Sequence, residues 1–406
     1  MANQGVNILL ISSLYPSDDL ALLNNTAVCH YFAKEWKKNG YNVRVIHLYH
    51  IYPQIYYPIL KWTNSYLASK TGHAILEKRE TKEHTYEIDG ISVTRIPIMK
   101  NRPHGQFDDR VIDKTSTRVS EILENEGYKP DFIFGHFLHP SLEVIAKLKK
   151  HYPDAVTTVS LHGEEKVYRQ EVASKMSTID LIGYRSFPIR KAFERLYGER
   201  PCFMCFSGVP EKFISTPKTF ERGIHNFVYV GYFIERKYPE ALIPAIHDAM
   251  SDAEVAITYV GSGKQEKRIL SIADKYHLSE AVHIAGRLPR EQVTQELDKA
   301  DVFIMISKTE TFGLVYLEAM ARGCIVVASK DEGMDGIIRN GENGYLCEAG
   351  NSTELAAIIK KICQLSIKEQ NLLSQNAIMT ARAFADSIVA KNYIESVKKS
   401  RSKNGK

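Results

Sequence analysis

Short apolar runs alternate with stretches of helical periodicity along the chain. The first run, residues 6–11, precedes a helical pattern at 26–39 and an alternating apolar run at 42–47. Short apolar runs are typical of buried strands, and apolar residues spaced three and four apart are typical of one helix face. Further strands are predicted at residues 91–97, 131–135, 155–160, 181–184 and 202–206. Regular alternation of strands and helices predicts a doubly wound parallel sheet.

The same alternation begins again in the second half of the chain. A helix is predicted near residues 239–250, and the strands are predicted at 227–231, 255–260, 282–285, 302–306 and 325–328. Between the halves, Pro210 and Pro217 interrupt the periodicity. We therefore predict an α/β protein with two Rossmann-like domains, residues 1–208 and 209–385. A helix and a basic tail, residues 386–406, follow them.

Two glutamates bracket the N-terminus of a predicted helix between the strands at 302–306 and 325–328. Leu314, Leu317 and Ala321 form its apolar stripe, and Glu318 lies on the same stripe. A buried carboxylate needs partners, because an unpaired buried charge costs several kcal/mol. Glu310 precedes the helix, in a loop at the carboxyl end of a strand, where open α/β sheets bind ligands. Carboxylates suit hydroxyls and a helix N-terminus suits a phosphate, so the segment indicates a sugar nucleotide. The alternative is two solvated glutamates.

Composition mainly excludes classes of protein. The 406 residues, 44% of them hydrophobic and 25% charged, suit two globular domains. The sequence has no run of 18 apolar residues, so no membrane span is predicted. The first apolar run is predicted to be a strand rather than a signal peptide. Six cysteines without a regular framework predict reduced thiols in a cytosolic protein. Cys202 and Cys205 are predicted to be buried strand residues rather than zinc ligands.

The net charge of +5 is unevenly distributed. Residues 1–205 carry 27 Lys and Arg against 23 Asp and Glu, whereas residues 206–397 carry 21 against 25. The last nine residues add five basic side chains and no acidic one. Nucleic-acid binding requires a stronger basic face with interleaved aromatics, so no nucleic-acid partner is expected. The bias fits weak attraction to an anionic membrane surface, and a solvated frayed tail is the alternative.

Aromatic residues are concentrated in the first half at residues 49–67. The stretch contains Tyr49, Tyr52, Tyr56, Tyr57, Trp62 and Tyr66. Such rings suit a membrane interface or a platform for sugars, and they equally suit a lid over the core. Both readings stay open.

The segment Ser307-x-x-Glu310-x-Phe312-Gly313, continuing to Glu318-Ala-Met-Ala-x-Gly, resembles the Glu-x7-Glu signature of the retaining GT-B glycosyltransferases of family 4. The resemblance implies two domains facing across a cleft, with the final helix crossing back to the first. It implies retaining transfer from a UDP- or GDP-sugar to a glycan or lipid-linked glycan, as in bacterial surface polysaccharide synthesis. The implied location is the cytoplasm or the inner face of the membrane. Glu310 would hold the donor sugar and Glu318 the ribose, beside Phe312, Gly313 and Leu314.

The resemblance extends to three segments of the first domain. His162, before a glycine, matches a His-Gly at the reaction centre, and His136 lies in a segment that lines the cleft. Asn25 stands where the family has the second residue of a glycine pair. Asparagine tolerates positive φ better than most residues, so a tight turn beside the substrate is expected there.

In the second domain, the segment from Gly231 to Lys237 resembles Gly-Arg-Leu-x-x-x-Lys, whose cations clamp the diphosphate. Lys237 matches, but Tyr232 replaces the arginine, and Arg236 is expected to substitute for it. The Gly-x-Gly turn at Gly261 and Gly263 is expected beside the nucleotide, with Arg287 near the base. The chain has no Asp-x-Asp motif, so no metal or other cofactor is expected.

Two rival functions remain for this sequence. One is a different reaction on the same fold, by an epimerase or a phosphorylase. A phosphorylase normally needs a pyridoxal phosphate lysine, and no sequence context identifies one. The other is a non-catalytic nucleotide-sugar-binding protein, which Tyr232 keeps open.

Overall fold

The computed structural model describes residues 5–17, 27–58, 80–102, 106–163, 170–250 and 254–403. The chain divides into two compact units, here the N-terminal and C-terminal domains. The N-terminal domain comprises Met1–Arg185, Ile189–Cys205 and Val389–Lys406, and the C-terminal domain comprises Ser186–Pro188 and Phe206–Ile388. Asn25, Trp62, Tyr66 and the last three residues lie outside the described residues.

The first sheet has eight strands. Up to Met204 the elements are β1 (Asn7–Ser12), α1 (Val28–Lys38), β2 (Asn42–Ile51), β3 (His84–Ile88), β4 (Ile91–Met99), α2 (Asp109–Asn125), β5 (Phe132–His136), α3 (Leu138–His151), β6 (Val156–Leu161), α4 (Gln170–Met176), β7 (Leu181–Tyr184), α5 (Phe187–Tyr197) and β8 (Cys202–Met204). The strand order is β3-β4-β2-β1-β5-β6-β7-β8. All neighbours pair in parallel except β3 and β4, which form an antiparallel hairpin.

The second sheet has six strands. The remaining elements are β9 (Asn226–Val230), α6 (Leu242–Ala249), β10 (Ala256–Val260), α7 (Glu266–Lys275), β11 (Val282–Gly286), α8 (Arg290–Lys299), β12 (Val302–Ile304), α9 (Leu314–Ala321), β13 (Ile325–Ser329), β14 (Tyr345–Cys347), α10 (Ser352–Gln364), α11 (Ile367–Ala383) and α12 (Asp386–Lys403). The order β11-β10-β9-β12-β13-β14 is that of a Rossmann fold, and all pairs are parallel. Two Rossmann-like domains confirm the predicted fold class.

The strand order determines where the C-terminal domain binds ligands. Chain order reverses between the neighbouring strands β9 and β12. The loops that leave their carboxyl ends diverge at this switch point, where open α/β sheets form ligand crevices. The Lys237 and Glu310 segments follow β9 and β12, so the topology places both at the switch point.

The C-terminal helix α12 completes the core of the N-terminal domain. Its buried Tyr393 packs against Phe32, Trp36 and Phe134, with ring centroids 5.4, 5.1 and 4.9 Å away. The Trp36 indole also donates a hydrogen bond to the carbonyl oxygen of Ala390, at 3.0 Å. Aromatic pairs of this kind add to the stabilisation from buried area. Removal of α12 would therefore expose the centre of this domain.

The structure contains two strands, β3 and β14, that the sequence patterns do not predict. In β3 only Tyr86 is buried, and β14 has only three residues, both consistent with positions at a sheet edge. Tyr49 and Tyr52 are buried, which favours a core role for these two aromatics. Cys205 is buried and Cys202 is half-buried, and neither forms a disulfide. Among the described residues, no helix is long and apolar enough to cross a bilayer.

Candidate functional site

The loops after β9 and β12 are joined through Arg236. The amide of Lys308 donates to the carbonyl oxygen of Arg236 at 2.7 Å. The Arg236 guanidinium in turn lies 3.4 Å from the carbonyl oxygen of Lys308 and 3.3 Å from that of Thr309. Arg236 therefore reaches the backbone that leads into Glu310. In this structure the contacts of Arg236 hold the loop that follows β12.

Lys237 and Glu310 meet at this junction. The Lys237 Nζ lies 3.3 Å from Oε2 of Glu310, and the two side chains are 13% and 16% exposed. Ser307 Oγ donates to the same carboxylate oxygen at 3.4 Å. Partial burial strengthens this ion pair relative to one in open solvent, because the local dielectric is lower. The sequence predicted that these two residues share a site, and the structure places them in contact.

The backbone takes positive φ angles on both sides of Glu310. Thr309 has φ 59°, in the left-handed region that β-branched residues rarely adopt, and such conformations cost about 1–3 kcal/mol. Gly313 has φ 81°, and a Cβ there would lie 2.3 Å from the Tyr316 ring. Gly313 is the N-cap of α9 and provides no side-chain cap. The first amides of α9 therefore have no side-chain acceptor, a feature that suits a bound anion.

The Glu310 loop is also held by Glu332, which the sequence patterns did not single out. The Glu332 carboxylate accepts the Glu310 amide at 2.6 Å, and the Gly333 amide donates to the Glu310 carbonyl oxygen at 2.9 Å. A Cβ on Gly333 would lie 2.4 Å from the Phe312 Cα, so only glycine fits. Burial raises the pKa of Glu332, and the nearby Glu310 charge adds to this. The sequence could have indicated Glu332 only through its position after β13, at the carboxyl end of a strand, where ligand sites form.

Glu318 has a protein partner. The Arg290 Nε and Nη2 lie 2.7 and 2.6 Å from Oε1 of Glu318, whose side chain is 15% exposed. Arg290 begins α8, and its guanidinium lies 4.9 Å from the Phe213 ring centroid. The prediction that this helix carboxylate needs a partner is therefore met by an arginine even without a ligand.

The Gly-x-Gly turn after β10 packs against the β9 loop. A Cβ on Gly261 would lie 1.9 Å from the carbonyl oxygen of Gly231, and one on Gly263 would lie 2.4 Å from that of Phe233. Both positions therefore require glycine for backbone packing. Beside them, the Arg287 guanidinium lies 5.4 Å from the Tyr232 ring centroid and donates to the phenol oxygen at 3.1 Å. Tyr232 thus holds the Arg287 guanidinium.

Of the remaining predicted residues, Phe312 has its ring in the core. It is 2% exposed and packs 5.8 Å from Phe206, so a direct role in binding would fall to its backbone. Leu314 is half-buried at the first position of α9. Direct contacts bring Arg236 and Lys237 to the Glu310 loop. The C-terminal domain also contains the other residues predicted for it, namely Gly261, Gly263, Arg287, Phe312, Gly313, Leu314 and Glu318.

The N-terminal domain pairs the two predicted histidines. His136 Nδ1 lies 3.2 Å from His162 Nε2, and the Phe137 ring stacks on His162 with centroids 3.9 Å apart. Burial and the charge of Arg185 lower the pKa of His136 to about 3 and that of His162 well below its usual range. Two neutral imidazoles can form this bond only if one nitrogen donates and the other accepts. His136 is fully buried, so it contacts His162 rather than solvent.

Residues 216–379 match the family model described as Glycosyl transferases group 1. One relative is N-acetyl-alpha-D-glucosaminyl L-malate synthase of Bacillus anthracis, 29% identical over 129 residues. This match covers 32% of the chain and only about a third (33%) of that enzyme. An uncharacterized glycosyltransferase of Methanocaldococcus jannaschii is 27% identical over 259 residues, 61% of this chain and 68% of that one.

Solved structures resemble the chain over nearly its whole length. Sucrose-phosphate synthase from Thermosynechococcus elongatus superposes with a TM-score of 0.69, at 18% identity, covering 97% of this chain and 98% of that one. Anabaena HepE in complex with UDP and glucose has a TM-score of 0.65 at 17% identity, covering 97% and 100%. The fold is therefore GT-B, and part of the chain is similar in sequence to glycosyltransferases. The matched segment contains Lys237, Glu310 and Glu318.

Proposed function

We propose that the chain is a retaining glycosyltransferase that moves a sugar from a nucleoside diphosphate to a glycan or lipid-linked glycan, without a metal ion. The observation that carries the proposal is the contact between Lys237 and Glu310 beside the uncapped N-terminus of α9. A cation, a carboxylate and free amides at one switch point match the phosphate and hydroxyl groups of a sugar nucleotide.

Lys237 and the α9 terminus are assigned to the diphosphate. Charge grows on the leaving diphosphate as its bond to the sugar breaks, and a preorganised cation stabilises that charge. The lysine ammonium has three donors, so it can contact phosphate while keeping its contact with Glu310. Glu310 then accepts hydroxyls of the donor sugar. Arg236 and Glu332 support the reaction by holding the loop that carries Glu310.

Glu318 is assigned to the ribose. Arg290 contacts Oε1, and the ribose hydroxyls are assigned to Oε2. Arg287, held on Tyr232, supplies a further positive charge near the nucleotide, which weakens the case for a non-catalytic binder. UDP is the favoured nucleotide because the HepE structures are described in complex with UDP and with UDP-glucose. A GDP-sugar is the alternative.

Calorimetric titration with UDP and GDP, each with and without a chelator, tests this assignment. The proposal expects binding of one of them, with UDP preferred, and no effect of the chelator. Absence of binding by both would contradict it, and so would binding that requires Mg²⁺ or Mn²⁺. Attachment to the inner face of a membrane is a separate proposal, tested by co-sedimentation with vesicles that contain anionic lipid.

A further inference from the structure

A histidine–carboxylate pair lies at the start of α3, outside the residues assigned so far. His139 Nδ1 lies 2.6 Å from Oε1 of Glu143, one helical turn later. The Glu143 side chain is 10% exposed and that of His139 is 23% exposed. A carboxylate facing one ring nitrogen holds the proton on that nitrogen. Nδ1 therefore donates to Glu143, and Nε2 is left for a second partner.

Hydrogen-bonding groups beside this pair are unsatisfied. Glu143 Oε2 and His50 Nε2 are buried without a partner among the residues that the structure describes. Buried polar atoms almost always have partners, so each such atom needs an explanation. The His50 ring lies 5.2 Å from the Phe107 ring, and the Lys100 ammonium lies 5.2 Å from the same ring. Burial and the Lys100 charge lower the pKa of His50 to about 3, so it is neutral.

The backbone is distorted at the same place. Phe137 has φ 61°, whereas the extended conformation of His139, φ −108° and ψ 133°, is the one expected of a residue that precedes a proline. A bulky residue in the left-handed region is a backbone outlier, and such outliers cluster at ligand sites. The Phe137 ring stacks on His162. The His139–Glu143 pair therefore lies just after the carboxyl end of β5, and Phe137, two residues before His139, contacts the predicted reaction-centre histidine.

We infer that His139, oriented by Glu143, binds a hydroxyl group of the sugar acceptor; the inference rests on the proposed transferase function. His139 Nε2 is the atom left for a ligand, and a hydroxyl can pair with an imidazole nitrogen either as donor or as acceptor. The hydroxyls of a glycan therefore suit this position. An anionic acceptor group would be repelled by the Glu143 carboxylate, whose charge also offsets that of Lys100. The site therefore fits the uncharged, hydroxyl-bearing part of a glycan.

Two isosteric variants separate the roles of the two ring nitrogens. In His139→Asn the amide nitrogen replaces Nδ1 and can still donate to Glu143, but nothing replaces Nε2. In His139→Gln the amide group falls near Nε2 instead. Glu143→Gln removes the charge that orients the ring. His151→Gln, at the exposed C-terminal end of the same helix, is the matched control.

The assay compares sugar transfer with donor hydrolysis. The donors are UDP-glucose, UDP-galactose and UDP-N-acetylglucosamine, and the acceptors are 4-nitrophenyl glycosides. His139→Asn should lower kcat/KM for the glycoside about 10- to 100-fold, with smaller losses for His139→Gln and Glu143→Gln. Hydrolysis of the donor without acceptor, UDP affinity and Tm should stay unchanged, as should all values for His151→Gln.

Several outcomes overturn the inference. Unchanged transfer by His139→Asn would do so, as would hydrolysis that falls in parallel with transfer, or a loss as large in His151→Gln. If His139→Asn does not fold, the same criteria apply to His139→Gln and Glu143→Gln. A wild-type protein that hydrolyses a UDP-sugar but uses no glycoside also contradicts a sugar-hydroxyl site. A wild-type protein that binds no nucleoside diphosphate refutes the proposed function itself.

Discussion

Replacement of Lys237 by alanine should lower the rate of sugar transfer strongly and the stability of the protein moderately. The side chain is 13% exposed and lies 3.3 Å from Glu310, so the variant loses a cation at the diphosphate and leaves a half-buried carboxylate unpaired. Loss of one preorganised electrostatic group typically costs about 10²- to 10³-fold in rate. An unpaired buried charged group costs about 1–3 kcal/mol, equivalent to a Tm decrease of about 2–12 °C for a domain of this size.

The assay is release of nucleoside diphosphate at varied donor concentration, together with a thermal melt. Lys308→Ala is the matched control, because Lys308 is exposed in the same loop. We expect the effect of Lys237→Ala mainly in kcat, because the charge on the diphosphate develops in the transition state. The reasoning is refuted if kcat is unchanged, or if Lys308→Ala has an equal effect. A larger loss in Arg236→Ala than in Lys237→Ala would show that the cation is assigned to the wrong residue.

Four further variants test three carboxylates of the C-terminal domain. Glu310→Gln should lower kcat strongly while calorimetry shows nearly normal affinity for the nucleoside diphosphate, whereas Glu318→Gln should mainly raise the donor KM. Glu318→Ala should also lower the free energy of unfolding by about 1 kcal/mol, because Arg290 loses its carboxylate partner, and Tm should fall accordingly. The pKa of Glu332 is raised in the folded protein. Its contribution to stability is therefore fully present below the pKa of an ordinary glutamate and is lost as pH rises through the raised pKa. Glu332→Gln, which keeps an acceptor for the Glu310 amide, should therefore gain Tm relative to wild type between pH 4 and pH 7; a constant difference would contradict this.

Local periodicity was sufficient to predict most of the fold. Strands buried on both faces, such as β1 and β5, are continuous apolar runs, so they are visible without tertiary information. The edge strand β3 was missed because its only buried residue is Tyr86. Its pairing with β4 depends on a neighbour rather than on its own pattern.

The candidate site was predicted less completely, because charge partners are chosen by tertiary structure. The spacing of Glu310 and Glu318 around a helix is local, and so is their motif. Arg290, by contrast, is 28 residues before Glu318 and reaches it only after α8 and α9 pack. Glu332 likewise holds the Glu310 amide across two elements. A carboxylate on an apolar stripe shows that a partner must exist and does not identify it.

The configuration of the product tests the central claim of retaining transfer most directly. The measurement is proton NMR of the disaccharide formed from an α-linked UDP-sugar and a 4-nitrophenyl glycoside, in the presence of a chelator. The account predicts a new α-glycosidic linkage at the transferred sugar. A β-linked product, or a product that forms only after metal is added, would contradict it.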